Sequence, residues 1–101
     1  MIYITQLIYI IEGHESVFHE FEDLAIPLIT QYNGELLLRS RPDRSSFIEG
    51  SLEPPYEIHL IRFDSEDDFQ RFIQNEERKK FLHLKEKSVR SAILIKGLKM
   101  E

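Results

Sequence analysis

Apolar residues in the first third of the chain occur in two different patterns. Residues 2–11 (IYITQLIYII) form a nearly continuous run rich in isoleucine and tyrosine, which predicts a strand buried on both faces. Over residues 14–32 the apolar positions recur at the three- and four-residue spacing of one helical face, which predicts an amphipathic helix. Pro27 removes a backbone donor inside this helix and predicts a kink near its last turn. Asn33 and Gly34 end the helix, since glycine suits a left-handed C-cap.

The rest of the chain contains three more strand-like segments and a second helical region. Residues 35–41 and 56–63 predict the second and third strands, and residues 91–98 predict the last. The second strand is more polar than the first, which predicts a position at an edge of the sheet. Ser65 followed by Asp68 resembles a capping box and predicts that the second helical region starts there.

The predicted order of elements, β-α-β-β-α-β, defines the fold class. It predicts an α+β protein with the ferredoxin-like plait, a four-stranded antiparallel sheet with both helices on one face. A chain of 101 residues has the size of one domain, so we assign residues 1–101 to a single domain. The other face of the sheet is open, and depending on strand parity the first strand presents Ile2, Ile4, Ile8 and Ile10 there. Because a large apolar face marks an interface, we predict a homodimer with stacked sheets.

Composition and charge exclude several classes of function. The net charge of −5 argues against a nucleic-acid partner. Without cysteine the chain has no disulfide, no thiolate nucleophile and no cysteine-ligated zinc site. There is no HExxH or paired-histidine spacing and no glycine-rich phosphate loop, so we expect neither a metal nor a cofactor. The first apolar run is too short to span a bilayer and lacks the features of a signal peptide, so we expect a cytoplasmic protein without a membrane partner.

The alternation of side chains along the strands predicts a polar site. The prediction assigns six apolar residues to the helix-covered face: Leu36, Leu38, Ile58, Leu60, Ile93 and Ile95. Four polar residues then point into the space between two stacked sheets and are the predicted ligand-binding residues: Gln6, Arg39, His59 and Lys96. His59 is the candidate catalytic base, because a histidine beside an arginine can bind a carboxylate or enolate and move a proton. Alternatively, His59 is a hydrogen-bonded core histidine and Arg39 forms an interface salt bridge.

Two stretches of the sequence resemble a known family. The similar stretches are residues 48–81 (IEGSLEPPYEIHLIRFDSEDDFQRFIQNEERKKF) and residues 25–39 (AIPLITQYNGELLLR). They resemble domain-of-unknown-function family 1330, which belongs to the dimeric α/β-barrel superfamily. Arg39 matches the family's strand arginine, and Lys85 stands near the place of a second arginine. The resemblance implies a ferredoxin-like dimer but no reaction, since the family has none settled. Superfamily relatives include haem-degrading enzymes, cofactor-free monooxygenases, lactone isomerases and small-ligand sensors, and the absence of tryptophan argues against the haem-degrading group.

Three hypotheses about function remain open at this point. The first is a homodimer that binds a small organic, anionic molecule. The second is a cofactor-independent enzyme of the monooxygenase or isomerase type, with His59 as base and Arg39 as anion clamp. The third is a purely structural or interaction dimer whose interior is filled by its own side chains. The first two predict a cavity reached by Arg39 or His59, and the third predicts that these side chains are paired and sealed.

Overall fold

Four strands form one antiparallel sheet, and the helices cover one of its faces. The computed structural model describes all 101 residues. The strands are β1 (Ile2–Ile10), β2 (Gly34–Ser40), β3 (Glu57–Phe63) and β4 (Val89–Gly97), in the spatial order β2-β3-β1-β4. The α-helices are α1 (Glu15–Ala25), α2 (Glu66–Ile73), α3 (Glu76–Lys80) and α4 (Leu82–Ser88), and short 3-10 helices span Ile26–Tyr32 and Arg44–Ser46. This arrangement confirms the predicted α+β fold class and the edge position of β2.

The first helical segment changes its type at the proline. After α1 the chain continues as the 3-10 helix Ile26–Tyr32, whose first turn contains Pro27, a position that needs no backbone N–H. Asn33 then adopts the left-handed conformation with φ 55°. The prediction that Gly34 would take this role is wrong. Gly34 begins β2, and it must be glycine because a Cβ there would lie 2.6 Å from Cε1 of Phe63.

Side-chain caps divide the second helical region into short helices. The Ser65 hydroxyl accepts a hydrogen bond from the backbone N–H of Asp68 at 3.1 Å, which starts α2 as predicted. Asn75 caps α3 in the same way. Its side-chain oxygen accepts a hydrogen bond from the backbone N–H of Arg78 at 2.7 Å. The chain therefore turns between α2 and α3 instead of continuing as one helix.

The hydrophobic core lies between the helices and one face of the sheet. Ile4 of β1 and Phe63 of β3 are almost completely buried there and pack against Phe69 and Phe72 of α2. Burying a side chain of this size contributes about 1.5–3 kcal/mol relative to exposure. No helix in the chain is both long enough and apolar enough to cross a membrane.

Cross-strand pairing shows that the predicted assignment of the two sheet faces is inverted. Directly paired residues of an antiparallel sheet share a face, and the pairs of β1 with β3 on the helix side include Gln6 with His59 and Ile8 with Glu57. Five residues assigned to the helix-covered face therefore lie on the open face: Leu38, Ile58, Leu60, Ile93 and Ile95. The residues expected on the open face point toward the helices: Ile2, Ile4, Ile8 and Ile10, and the polar residues Gln6, Arg39, His59 and Lys96.

A β-bulge in β2 explains why one residue of the predicted set is on the expected face. Leu36 lies opposite Ile61 while Leu38 lies opposite Leu60, so Leu37 is an extra residue in the ladder. The bulge leaves Leu36 on the helix side and Leu38 on the open side. It also returns Arg39 to the helix side, directly opposite His59.

Candidate functional site

A cavity of about 500 Å³ lies between the sheet and the helices. Its walls are mostly apolar and include Phe18 and Phe21 of α1 and Ile61 of β3. Ala92 and Leu94 of β4 line the cavity on its other side and remain exposed, because the helical layer does not extend over this edge strand. The cavity therefore opens toward β4. Six polar residues interrupt its apolar lining: Gln6, Glu22, His59, Arg78, Lys85 and Glu86.

His59 is fixed on the cavity wall by a buried carboxylate. Only 2% of its surface is exposed, and its Nε2 lies 2.8 Å from Oε1 of Glu57. Residues two apart on a strand share a face, which is why Glu57 and His59 of β3 meet beneath the helices. Gln6 of β1 is the cross-strand partner of His59 and lines the same cavity.

Glu57 is held in turn by two arginines of β2 and the segment that follows it. Arg39 donates from Nε to Oε1 at 2.8 Å and from Nη2 to Oε2 at 3.2 Å, and Arg41 donates to Oε2 from Nη2 at 2.6 Å. Burial alone would raise the pKa of Glu57, but the hydrogen bonds from His59, Arg39 and Arg41 outweigh it and lower the pKa to about 2. Glu57 is therefore ionised at every physiological pH.

This network determines the tautomer of His59. An ionised carboxylate can only accept hydrogen bonds, so Nε2 of His59 carries the proton that Glu57 accepts. In the neutral ring the lone pair then belongs to Nδ1, which makes no hydrogen bond within the chain. A histidine whose tautomer is fixed by a carboxylate has the arrangement of a general base.

Glu22 of α1 is a second buried acid on the cavity wall. Its carboxyl group makes no hydrogen bond, and only 8% of the residue is exposed. Burial raises the pKa of Glu22, although the charge of Arg39, and that of His59 when its ring is protonated, oppose that rise. A buried acid with a raised pKa in a cavity is a candidate proton donor or acceptor.

Arg78 of α3 and Lys85 of α4 supply positive charge to the cavity from the helical side. Burial lowers the pKa of both groups, and the neighbouring charge of Arg78 lowers the pKa of Lys85 further. Neither side chain forms a salt bridge, and Nε of Arg78 is buried without a hydrogen-bond partner. No cluster of three histidine, aspartate or glutamate side chains in the chain has the geometry to hold a metal ion.

The structure separates the four predicted ligand-binding residues into two groups. Gln6 and His59 lie side by side in the cavity wall. Arg39 does not line the cavity, because its guanidinium group is hydrogen-bonded to Glu57, the carboxylate that also holds His59. Lys96 lies outside the cavity, half exposed, with its ammonium group 2.9 Å from Glu66 of α2. The predicted space between two sheets is thus not where these side chains point.

Four further residues of the site are absent from the predicted set: Glu22, Glu57, Arg78 and Lys85. The sequence carries a signal for Glu22, because it follows Phe18 by four residues and precedes Ala25 by three, on the apolar face of α1. Arg78 has no comparable signal, since it belongs to the charged run EERKK, which has the composition of a solvated helix.

No family model and no curated protein matches the chain. Several solved structures, in contrast, superimpose on the chain. A protein of unknown function from Rhodopseudomonas palustris superimposes with a TM-score of 0.83 at 11% identity, over 99% of this chain and 82% of the other. A NIPSNAP-family protein of unknown function from Agrobacterium tumefaciens gives a TM-score of 0.70 at 20% identity, over 96% and 86%. A dimeric protein of unknown function and ferredoxin-like fold from Bacteroides fragilis gives 0.69 at 11% identity, over 95% and 93%.

The chain has a ferredoxin-like fold. The similar structures cover nearly the whole of it, which agrees with the sheet order and with the helices on one face. At identities of 11–20% these similarities establish the fold and no activity. They support the ferredoxin-like part of the resemblance stated above, whereas membership of family 1330 is not confirmed.

Proposed function

We propose that this ferredoxin-like protein binds a small organic molecule in the cavity between the sheet and the helices. The observation that carries the proposal is a cavity of about 500 Å³ whose apolar walls contain a few convergent polar groups, chiefly His59 held by Glu57. Ligand sites in proteins usually combine an apolar surface with a few fixed polar groups in this way. The resemblance to family 1330 fits the proposal, since its superfamily includes small-ligand sensors.

A neutral fluorescent probe tests whether the cavity accepts a ligand. N-phenyl-1-naphthylamine should bind with increased fluorescence, and Ala92→Phe at the mouth should abolish binding because the new ring fills the opening. Glu20→Phe, on the exposed side of α1, is the matched control and should bind like the wild type. Absence of probe binding, or equal binding to the Ala92→Phe variant, would favour the structural hypothesis in which the interior is filled by its own side chains.

A specific observation favours proton transfer as a second function. His59 lines the cavity with its Nε2 hydrogen-bonded to Glu57, which leaves Nδ1 as the nitrogen that can take up a proton, and Glu22, whose pKa burial raises, lines the same cavity from α1. Two titratable groups with different environments can divide the roles of base and acid in a cofactor-independent isomerisation. The reaction would remove a proton next to a carbonyl group and return it to another carbon or to oxygen.

Deuterium exchange tests this second function without a known substrate. A panel of enolisable keto acids and lactones is incubated with the protein in heavy water, and proton NMR follows loss of the signal next to the carbonyl. We expect exchange of at least one compound to be faster with the wild type, and His59→Asn to remove that effect while N-phenyl-1-naphthylamine still binds. Equal exchange with wild type and variant would leave binding as the function.

We also propose that the protein is a homodimer formed through the open face of the sheet. Leu38, Leu60 and Ile95 lie on that face, and Leu38 and Ile95 are about half exposed. Apolar side chains exposed together on one face of a sheet are typical of an interface. The similar Bacteroides fragilis protein is described as dimeric, which supports the same assembly here.

The dimer is tested by placing a charge on the open face. Ile95→Asp should give a monomer in light scattering after size exclusion, because two buried carboxylates would face each other across the interface. Ile95 is already half exposed in one chain, so the variant should retain its far-UV circular dichroism. Lys87→Asp, at an exposed position of α4, is the control and should stay dimeric. A dimeric Ile95→Asp variant would refute stacking through this face.

A further inference from the structure

Two cationic side chains on the helical wall of the cavity have no carboxylate partner. Arg78 of α3 and Lys85 of α4 both line the cavity, and neither forms a salt bridge. Most other basic residues of the chain are paired, among them Arg39 and Arg41 with Glu57 and Lys96 with Glu66. Arg78 and Lys85 therefore differ from most basic residues of the chain, and they lie where a ligand in the cavity would contact them.

The guanidinium group of Arg78 has a buried donor that nothing in the chain satisfies. Its Nε is buried without a partner, and its Nη1 makes only a long contact of 3.4 Å with the backbone oxygen of Ile73. The group lies 5.3 Å above the ring of Phe72, which orients its plane without accepting a conventional hydrogen bond. Arg78 lines the cavity and its guanidinium group has no carboxylate partner, so an acceptor inside the cavity would stabilise this side chain.

The acids of the cavity do not neutralise these cations by direct contact. Glu22 makes no hydrogen bond, and burial raises its pKa, which weakens it as a counter-ion. Glu86 is exposed at the rim and forms no salt bridge. Lys85 is disfavoured as a cation by burial and by the charge of Arg78, and the attraction of an anion between the two groups would offset both effects.

We propose that Arg78 and Lys85 together bind a carboxylate group of the molecule whose apolar body fills the cavity. This inference rests on the proposed binding function and specifies its ligand as a small apolar monocarboxylate. A carboxylate carries one negative charge and two acceptor oxygens, so it can accept hydrogen bonds from both cations at once. The four residues predicted from the sequence do not include this pair.

Displacement of N-phenyl-1-naphthylamine by two matched competitors tests the proposal. 2-Naphthoate carries the carboxylate, and 2-naphthamide has nearly the same shape without charge. We expect the wild type to prefer naphthoate by about tenfold or more, the usual effect of one charge-assisted hydrogen bond. Arg78→Met and Lys85→Met should each bring the preference close to one while probe affinity stays within about twofold.

Matched controls and a second variant keep the result interpretable. Lys80→Met on α3 and Lys87→Met on α4 remove exposed cations from the same helices outside the cavity, and both should keep the wild-type preference. Arg78→Lys retains a charge but loses the planar donor, so its preference should lie between those of wild type and Arg78→Met even if the methionine variant folds poorly.

The outcomes separate this inference from the binding proposal. Probe binding with no preference for naphthoate, or with a preference that Arg78→Met and Lys85→Met leave unchanged, would overturn the carboxylate site and leave the cavity as a ligand site. Tighter binding of 2-naphthyl phosphate than of 2-naphthoate would overturn the assignment to a carboxylate. No probe binding at all would overturn both proposals.

Discussion

The buried carboxylate of Glu57 gives a stability effect whose size and pH dependence follow from the structure. Its pKa falls from the ordinary value of 4.5 to about 2 in the folded chain. A difference of about 2.5 pKa units, at roughly 1.4 kcal/mol per unit, corresponds to about 3.5 kcal/mol of stability. Because the folded pKa is depressed, this stabilisation is complete above pH 4.5 and is lost as the pH falls toward 2.

Replacement of Glu57 by glutamine should remove that stabilisation. Glu57→Gln leaves Arg39, Arg41 and His59 gathered around a neutral amide, so we expect a loss of about 3–5 kcal/mol at pH 7. The part of the difference that comes from ionisation should shrink to roughly 1 kcal/mol at pH 3, because Glu57 is then almost fully protonated in the unfolded wild type and must lose its proton on folding.

Urea unfolding of wild type and variant at pH 7 and pH 3 measures both quantities. One fixed protein concentration is used throughout, because self-association changes apparent stability. Glu53→Gln is the control, since Glu53 forms an exposed pair with Arg90 and should change stability by less than about 1 kcal/mol. A Glu57→Gln difference below about 1 kcal/mol at pH 7, or one that is the same at both pH values, would refute the reasoning.

Three further predictions concern the packing and the caps of the fold. Gly34→Ala should lower the free energy of unfolding by about 1–3 kcal/mol in urea, because its Cβ would overlap Phe63, and an unchanged midpoint would contradict the close approach. Ser65→Ala should cost about 1 kcal/mol through loss of the α2 cap, and Ser65→Asp should restore most of it in the same assay. Ile8→Asp should unfold the chain as judged by circular dichroism, since Ile8 is buried beneath the helices; a folded variant would contradict its placement.

The fold could be predicted from the sequence because its signals are local. The change from a continuous apolar run to a helical period and the cap at Ser65 each belong to a few adjacent residues. Such local features place the elements in order, and the order of four strands and two helical regions leaves few topologies.

The face that each strand turns toward the helices could not be predicted in the same way. In β3 the helix side carries Glu57 and His59, whereas the open side carries Ile58 and Leu60. Polar side chains can be buried under the helices because they satisfy one another. The apolar residues of the open face need no helix of the same chain over them because, as we propose, a second copy of the chain covers them. The residues at positions 57–60 of β3 therefore indicated the wrong face, although Ile61 and Phe63 farther along the strand do meet the helices.

Only part of the candidate site could be predicted from the sequence. Gln6 and His59 do line the cavity, although the face on which they were expected is not the one they occupy. Arg78 and Lys85 come from two helices whose relative placement depends on the break at Asn75, and no spacing in the sequence encodes a contact of that kind. Tertiary structure was needed to bring these charges to the same wall.

The extra residue in β2 has a consequence for comparing this chain with distant relatives. Leu37 shifts the phase of the strand, so that Arg39 rather than Leu38 shares a face with His59 and reaches Glu57. A relative that lacks the bulge would need its arginine one position earlier to make the same contact. The position of the alignment gap in β2 therefore decides whether such an arginine is counted as the partner of the buried acid or as a residue of the open face.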